Sequence, residues 1–116
     1  SIGSRSTDNA FLGNRIISNA THGIEFRNEQ ADTGAHRNRF ERNVVLNNGA
    51  SNKKGQAAIV IRGHHDDVIF RQNTIGHEKP TDNQNVGILV SRHATGFQSA
   101  DNQFQHVERG IQKEFE

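Results

Sequence analysis

Asp67-Val68-Ile69-Phe70-Arg71-Gln72-Asn73-Thr74-Ile75 decides how the chain is read, because its signature, Phe-x-x-Asn-x-Ile, recurs at a fixed interval on either side. Phe11, Asn14 and Ile16 form one copy, Phe40, Asn43 and Val45 the next, and Ser99, Asn102 and Phe104 the last. The asparagines stand 29, 30 and 29 residues apart. A period of this length, with short β-branched runs between turn residues, marks a solenoid in which each repeat is one coil stacked on the last.

A second landmark keeps the same beat: Gly23-Ile24-Glu25-Phe26, Ala58-Ile59-Val60-Ile61, Gly87-Ile88-Leu89-Val90 and Gly110-Ile111-Gln112-Lys113. The residues before and after each periodic asparagine supply two short arms, and the Gly-Ile segment supplies a third. An asparagine amide both donates and accepts, so Asn14, Asn43, Asn73 and Asn102, stacked at the ~4.8 Å strand spacing, are predicted to hydrogen-bond along the stack. Phe11, Phe40 and Phe70 are predicted to stack inside on the same logic, with Phe97 filling the space Ser99 leaves in the last coil. Asn73 is therefore expected to matter more to stability than Asn83, which falls in a variable loop. A leucine-rich horseshoe also has a periodic asparagine, but only Leu12, Leu46 and Leu89 are present.

From about residue 9 to 115 this pattern resembles the right-handed parallel β-helix superfamily with pectate-lyase-like repeats. The expected fold is all-β: a right-handed, single-stranded parallel β-helix of about four coils of ~29 residues, with three short strands per coil. Residues 1–116 are expected to form one β-helix domain and a segment of a longer one, with further coils or an oligomer partner covering an open end. Ile2 reads as the tail of a strand followed by a turn. The resemblance implies a secreted, cell-surface or periplasmic protein that binds or processes a polysaccharide along its outer strand face, as a lyase, hydrolase or epimerase. The alternative is a non-catalytic adhesin-like or tailspike-like scaffold.

Composition narrows the chemistry. The 116 residues suffice for one domain. A hydrophobic fraction of 31% is low, yet with a net charge of +1 and one proline the disorder signature is missing. Alternate inward residues and polar turns account for the low value. No cysteine is present, which excludes a disulfide frame and a thiolate metal site. Fourteen basic residues are balanced by thirteen acids, and Trp and Tyr are missing, so no nucleic-acid partner is expected. No apolar run reaches membrane-spanning length, so no membrane insertion is expected. No cofactor or metal is expected either; calcium, a possibility for such a fold, has no motif here.

Alternation on the Gly-Ile strands sends Glu25, Val60, Leu89 and Gln112 outward in one row, and Arg27, Arg62, Ser91 and Glu114 in the next. Arg27 and Arg62, one coil apart, are suited to grip a carboxylated sugar. Gly63-His64-His65-Asp66-Asp67 is the densest cluster of titratable residues. Its Asp-Asp pair is out of register with that of polygalacturonase-like hydrolases, so no catalytic role is carried over. Adjacent strand residues face opposite sides, so His64 and His65 are not expected to chelate together, and Asp66 or Asp67 is expected to cap backbone N–H groups. The expected ligand-facing residues are Glu25, Arg27, Arg62 and His64. The other histidines, His22, His36, His77, His93 and His106, read as scattered loop residues. Excursions at Asn28–His36, Asn47–Gln56 and Gly76–Asn85 are where a solenoid places specificity.

Overall fold

The structure is a computed structural model and describes residues 1–49, 56–81 and 86–115. Among these residues run twelve strands, three to a coil. The first coil holds β1 (Ala10–Leu12), β2 (Arg15–Ile17) and β3 (Ile24–Glu29), and the second β4 (Arg39–Glu41), β5 (Val44–Leu46) and β6 (Ala57–Gly63). The third holds β7 (Ile69–Arg71), β8 (Thr74–Gly76) and β9 (Val86–Ser91), and the fourth β10 (Gln98–Ala100), β11 (Gln103–Gln105) and β12 (Arg109–Phe115). Each strand pairs in parallel with its counterpart one coil away, giving three four-stranded sheets, β1-β4-β7-β10, β11-β8-β5-β2 and β12-β9-β6-β3. Ile2 adds an isolated parallel bridge to Phe26, the strand tail expected there. This is a parallel β-helix, and parallel crossovers of one sheet wind right-handed for steric reasons.

Corners between such short strands need a backbone that turns within one residue, and left-handed φ values supply it. They fall in columns. Gly13, Arg42, Gln72 and Asp101, with φ between 54° and 65°, each precede a periodic asparagine. Asp8, Arg37, Asp67 and Gly96, with φ between 56° and 68°, mark the corner before the first short strand of each coil. Asp, Asn and Gly tolerate this region, whereas Arg37 and Arg42 adopt it because the stacked neighbours fix the corner.

The asparagine ladder is complete. Asn14, Asn43 and Asn73 each donate their backbone N–H and their side-chain amide to Oδ1 of the asparagine one coil on, at 2.8 to 3.1 Å. The amides of Asn43, Asn73 and Asn102 also reach the carbonyls of Phe11, Phe40 and Phe70. The Phe11, Phe40 and Phe70 carbonyls are thus satisfied from inside, as buried polar backbone requires. Two shorter ladders, Asn9 on Asn38 and Asn19 on Asn48, repeat the device at other corners.

The phenylalanines follow the same register. Phe11 and Phe40 stack at 4.5 Å with planes 9° apart, and Phe40 and Phe70 at 4.5 Å with planes 1° apart. In the fourth coil Ser99 pairs with Phe70 along the strand, and Phe97 leans over that ring at 6.1 Å. Ser99 uses its hydroxyl instead to accept from the Asn102 amide at 2.8 Å. Core packing is completed by Ile24, Phe26, Ile59, Ile61, Ile75, Ile88 and Val90.

The outward rows need a correction. Val60 and Leu89 do lie off the core row, but both are buried, in a second apolar cluster with Ala57 and Val86. The outer face of the long strands is therefore not a uniformly solvated sheet. Strand β3 also runs to Glu29, so the loop expected from Asn28 begins two residues later. Much of the Asn47–Gln56 and Gly76–Asn85 excursions, including Asn83, lies outside the described residues, as does the side chain of Glu114. Among the described residues no helix is long and apolar enough to cross a membrane.

Candidate functional site

The chemistry gathers where the long strands turn toward the next coil. β3 and β6 stay in register through Phe26 and Ile61, then slip so that Glu29 faces Gly63. Gly63 sits at φ 72°, and a Cβ there would meet the backbone of Glu29 and the side chain of Asn28 at 2.6 to 2.7 Å. Only glycine fits. The slip leaves His64 outside, its N–H bonded to the Glu29 carbonyl at 2.9 Å, and turns His65 inward.

His65 is wholly buried. Its Nδ1 accepts from the Ala35 N–H at 2.9 Å, and its Nε2 donates to the Arg27 carbonyl at 2.6 Å. The ring packs edge-on against Phe26 at 5.1 Å. Both ring nitrogens are used by the neutral Nε2–H tautomer, and a second proton on Nδ1 would face another N–H. Burial holds the His65 pKa below the ordinary imidazole value, against the pull of the Arg27 carbonyl. His65 is part of the frame.

Beside it runs a second ladder whose rungs differ. The Thr7 hydroxyl accepts from the His36 N–H at 3.1 Å, and His36 Nδ1 accepts from the Asp66 N–H at 2.9 Å. Asp66 Oδ1 then accepts from the Thr95 N–H at 3.2 Å and the Thr95 hydroxyl at 2.8 Å. Burial pushes the Asp66 carboxyl up, but the two Thr95 bonds with His36 and His64 outweigh it and hold its pKa below the usual range. The expectation that an aspartate of this cluster caps backbone N–H groups is met by Asp66, across coils instead of within its own turn. Outside this ladder Arg37 grips Asp8 with two bonds of 2.7 and 3.0 Å.

On the solvent side His64 and His93 stack with ring centroids 4.8 Å apart and planes 22° apart. With Asn28, Gln30 and Arg92 they line a polar cleft of about 290 Å³. Three successive coils contribute to it. Arg92 also lines a neighbouring cleft of about 230 Å³ with Val90, Ser91, Ala94, Phe97 and Lys113 of the fourth coil. Arg92 is exposed and has no hydrogen-bond or ion-pair partner among the described residues.

Of the four residues expected to face a ligand, His64 lies in this cleft. Arg62 is instead paired with Glu25, Nε to Oε2 at 3.2 Å, and Arg27 with Glu29 at 3.7 Å and the Ser4 hydroxyl at 3.1 Å. Each arginine therefore carries its own carboxylate, and the two do not make a bare cationic stripe. Asn28 and Gln30 fall in the first of the excursions expected to carry specificity, whereas His93 read as a scattered loop residue and Arg92 was not singled out. The signal for His93 was the interval itself: His64 and His93 are 29 residues apart, one coil. Among the described residues no group of three or more His, Asp or Glu stands close enough to hold a metal ion. A third cleft, of about 380 Å³, lies at another corner between Asn47–Gly49 and His77–Thr81.

The model of the right handed beta helix region matches residues 2–104. The chain belongs to that family, and the coil winds right-handed. No curated protein and no solved structure matches it.

Proposed function

We propose that this β-helix binds an extended oligosaccharide across its coils, seated on the His64–His93 cleft. The observation that carries the reading is the lining: polar side chains from three successive coils, presented on a frame whose own hydrogen bonds are already met. A repeating ligand suits a repeating surface, and the stacked coils fix the spacing at which these side chains are offered. The cleft is small beside the usual ligand pocket and open at its side, which suits one sugar unit of a chain that continues past it. Among the described residues the lining holds no carboxylate to act as acid or nucleophile, so the reading is one of binding, with His64 at the centre and the paired Arg62, Glu25 and Arg27 on the adjoining strand face. Such a ligand belongs outside the cell or on its surface.

Titration calorimetry of the chain with oligosaccharides of two to eight units tests this. Affinity is expected to rise with length until the cleft and its flanks are spanned. His64→Ala is expected to weaken binding by about tenfold, and the double variant Arg27→Gln with Arg62→Gln by less. No binding at any length would leave the scaffold alone, a reading favoured by how fully the ladders satisfy themselves.

A further inference from the structure

We infer that the face shared by the two clefts is an oxyanion site, with Arg92 as its cation and His64, His93 and Lys113 around it. This rests on the binding site proposed above and names the ligand's chemistry there: a carboxylate or sulfate group carried on a sugar, or a free oxyanion of the same shape.

Sharing residues makes the case. Arg92 lines both clefts, one together with the imidazole pair and the other together with Lys113. The lining side chains that carry polar hydrogens include Asn28, Gln30, His64, His93, Arg92 and Lys113, and among the described residues none of the lining is acidic. A planar guanidinium presents paired N–H donors that match an oxyanion. Elsewhere on this molecule arginines that face acids are consumed by them: Arg27 by Glu29, Arg37 by Asp8, Arg62 by Glu25, and Arg39 and Arg42 by the same Glu41. Arg92 has no such partner among the described residues. The Asp66 carboxylate feels the charge of His64, but its Oδ1 is turned to Thr95.

The experiment is calorimetric titration of the whole chain with sodium sulfate, sodium phosphate, a uronic acid oligomer and an uncharged glucose oligomer of equal length, at constant ionic strength. Sulfate is expected to bind one class of site, and the uronic acid oligomer more tightly than the neutral one. Arg92→Gln is expected to weaken both by about tenfold. Arg15→Gln, at an exposed arginine of the first coil, is expected to leave both unchanged. Among the described residues Arg92 has no partner whose loss would unfold the chain; thermal melts check this, and His93→Gln, expected to weaken sulfate binding as well, serves as a second variant. If sulfate does not bind, or binds Arg92→Gln as well as the wild type, the oxyanion site is overturned. Neutral and charged oligomers binding equally, without sulfate, would overturn it while leaving the oligosaccharide reading standing. Sulfate binding lost in Arg92→Gln, with no oligosaccharide bound, would support the site and remove that reading.

Discussion

Two ladders climb this molecule at the same spacing, and they end in different chemistry. The asparagine ladder repeats one residue on every rung, so the inner amides of Asn43 and Asn73 find their own kind on both sides and are used up within the frame. The Thr7, His36, Asp66 and Thr95 ladder changes residue at every rung. It still satisfies the backbone, but it does so with groups that titrate, and beside it His64 and His93 stack over each other facing water. Like rungs build the frame, and unlike rungs leave chemistry at the surface.

The comparison is broken most easily at its apolar axis. Phe70 lies between Phe40 and Phe97, wholly buried, and Phe70→Ala is expected to cost about 3–5 kcal/mol in urea unfolding. A loss below about 1 kcal/mol would show that the stack is not what holds the coils together. Next comes the asparagine ladder itself. The Asn73 side chain takes part in four hydrogen bonds, and Asn73→Ala is expected to cost about 1–3 kcal/mol by stranding buried partners. The Asn14 side chain makes one such bond at the first rung, so Asn14→Ala is expected to cost less. Equal losses would mean that these asparagines serve only as corner residues.

A smaller effect sets the buried His65 apart from the ladder beside it by pH. The His65 pKa is lowered in the folded chain, so between its folded value and the ordinary value of 6.5 the unfolded chain binds more protons. Stability is therefore fully present above pH 6.5 and falls as the pH drops through the window just below it. The carboxylates of Asp8, Glu29 and Asp66, also lowered, withdraw their contributions only at more acid pH, below their ordinary values of 3.8 to 4.5. Melting temperatures at pH 7.5 and 5.5 are expected to differ in the wild type and to converge in His65→Gln. A difference that survives in His65→Gln would assign the window to another group.

The frame was legible in the sequence because its residues repeat in kind. Asn14, Asn43, Asn73 and Asn102 announce themselves by identity and interval, and so do the phenylalanines. The site was half legible. His64 stood out within a local cluster, whereas His93 and Arg92 carry no local motif, and only the coil length brings them over His64. Nor does the sequence alone reveal that Arg27 and Arg62 are each held by a glutamate. Alternation gives the side a residue faces, not its neighbour across a register slip such as the one at Gly63. Burial of Val60 and Leu89 escaped for a related reason: an outward direction does not say what lies over it.

The most direct measurement is a ¹⁵N-labelled amide map of the chain titrated with a uronic acid oligomer. The structure leads us to expect shifts at Asn28, Gln30, His64, Arg92, His93 and Lys113, in four successive coils, with the amides of Asn14, Asn43 and Asn73 unmoved. Shifts confined to the Arg27 and Arg62 strand face, or to the corner between Asn47 and Thr81, would contradict it.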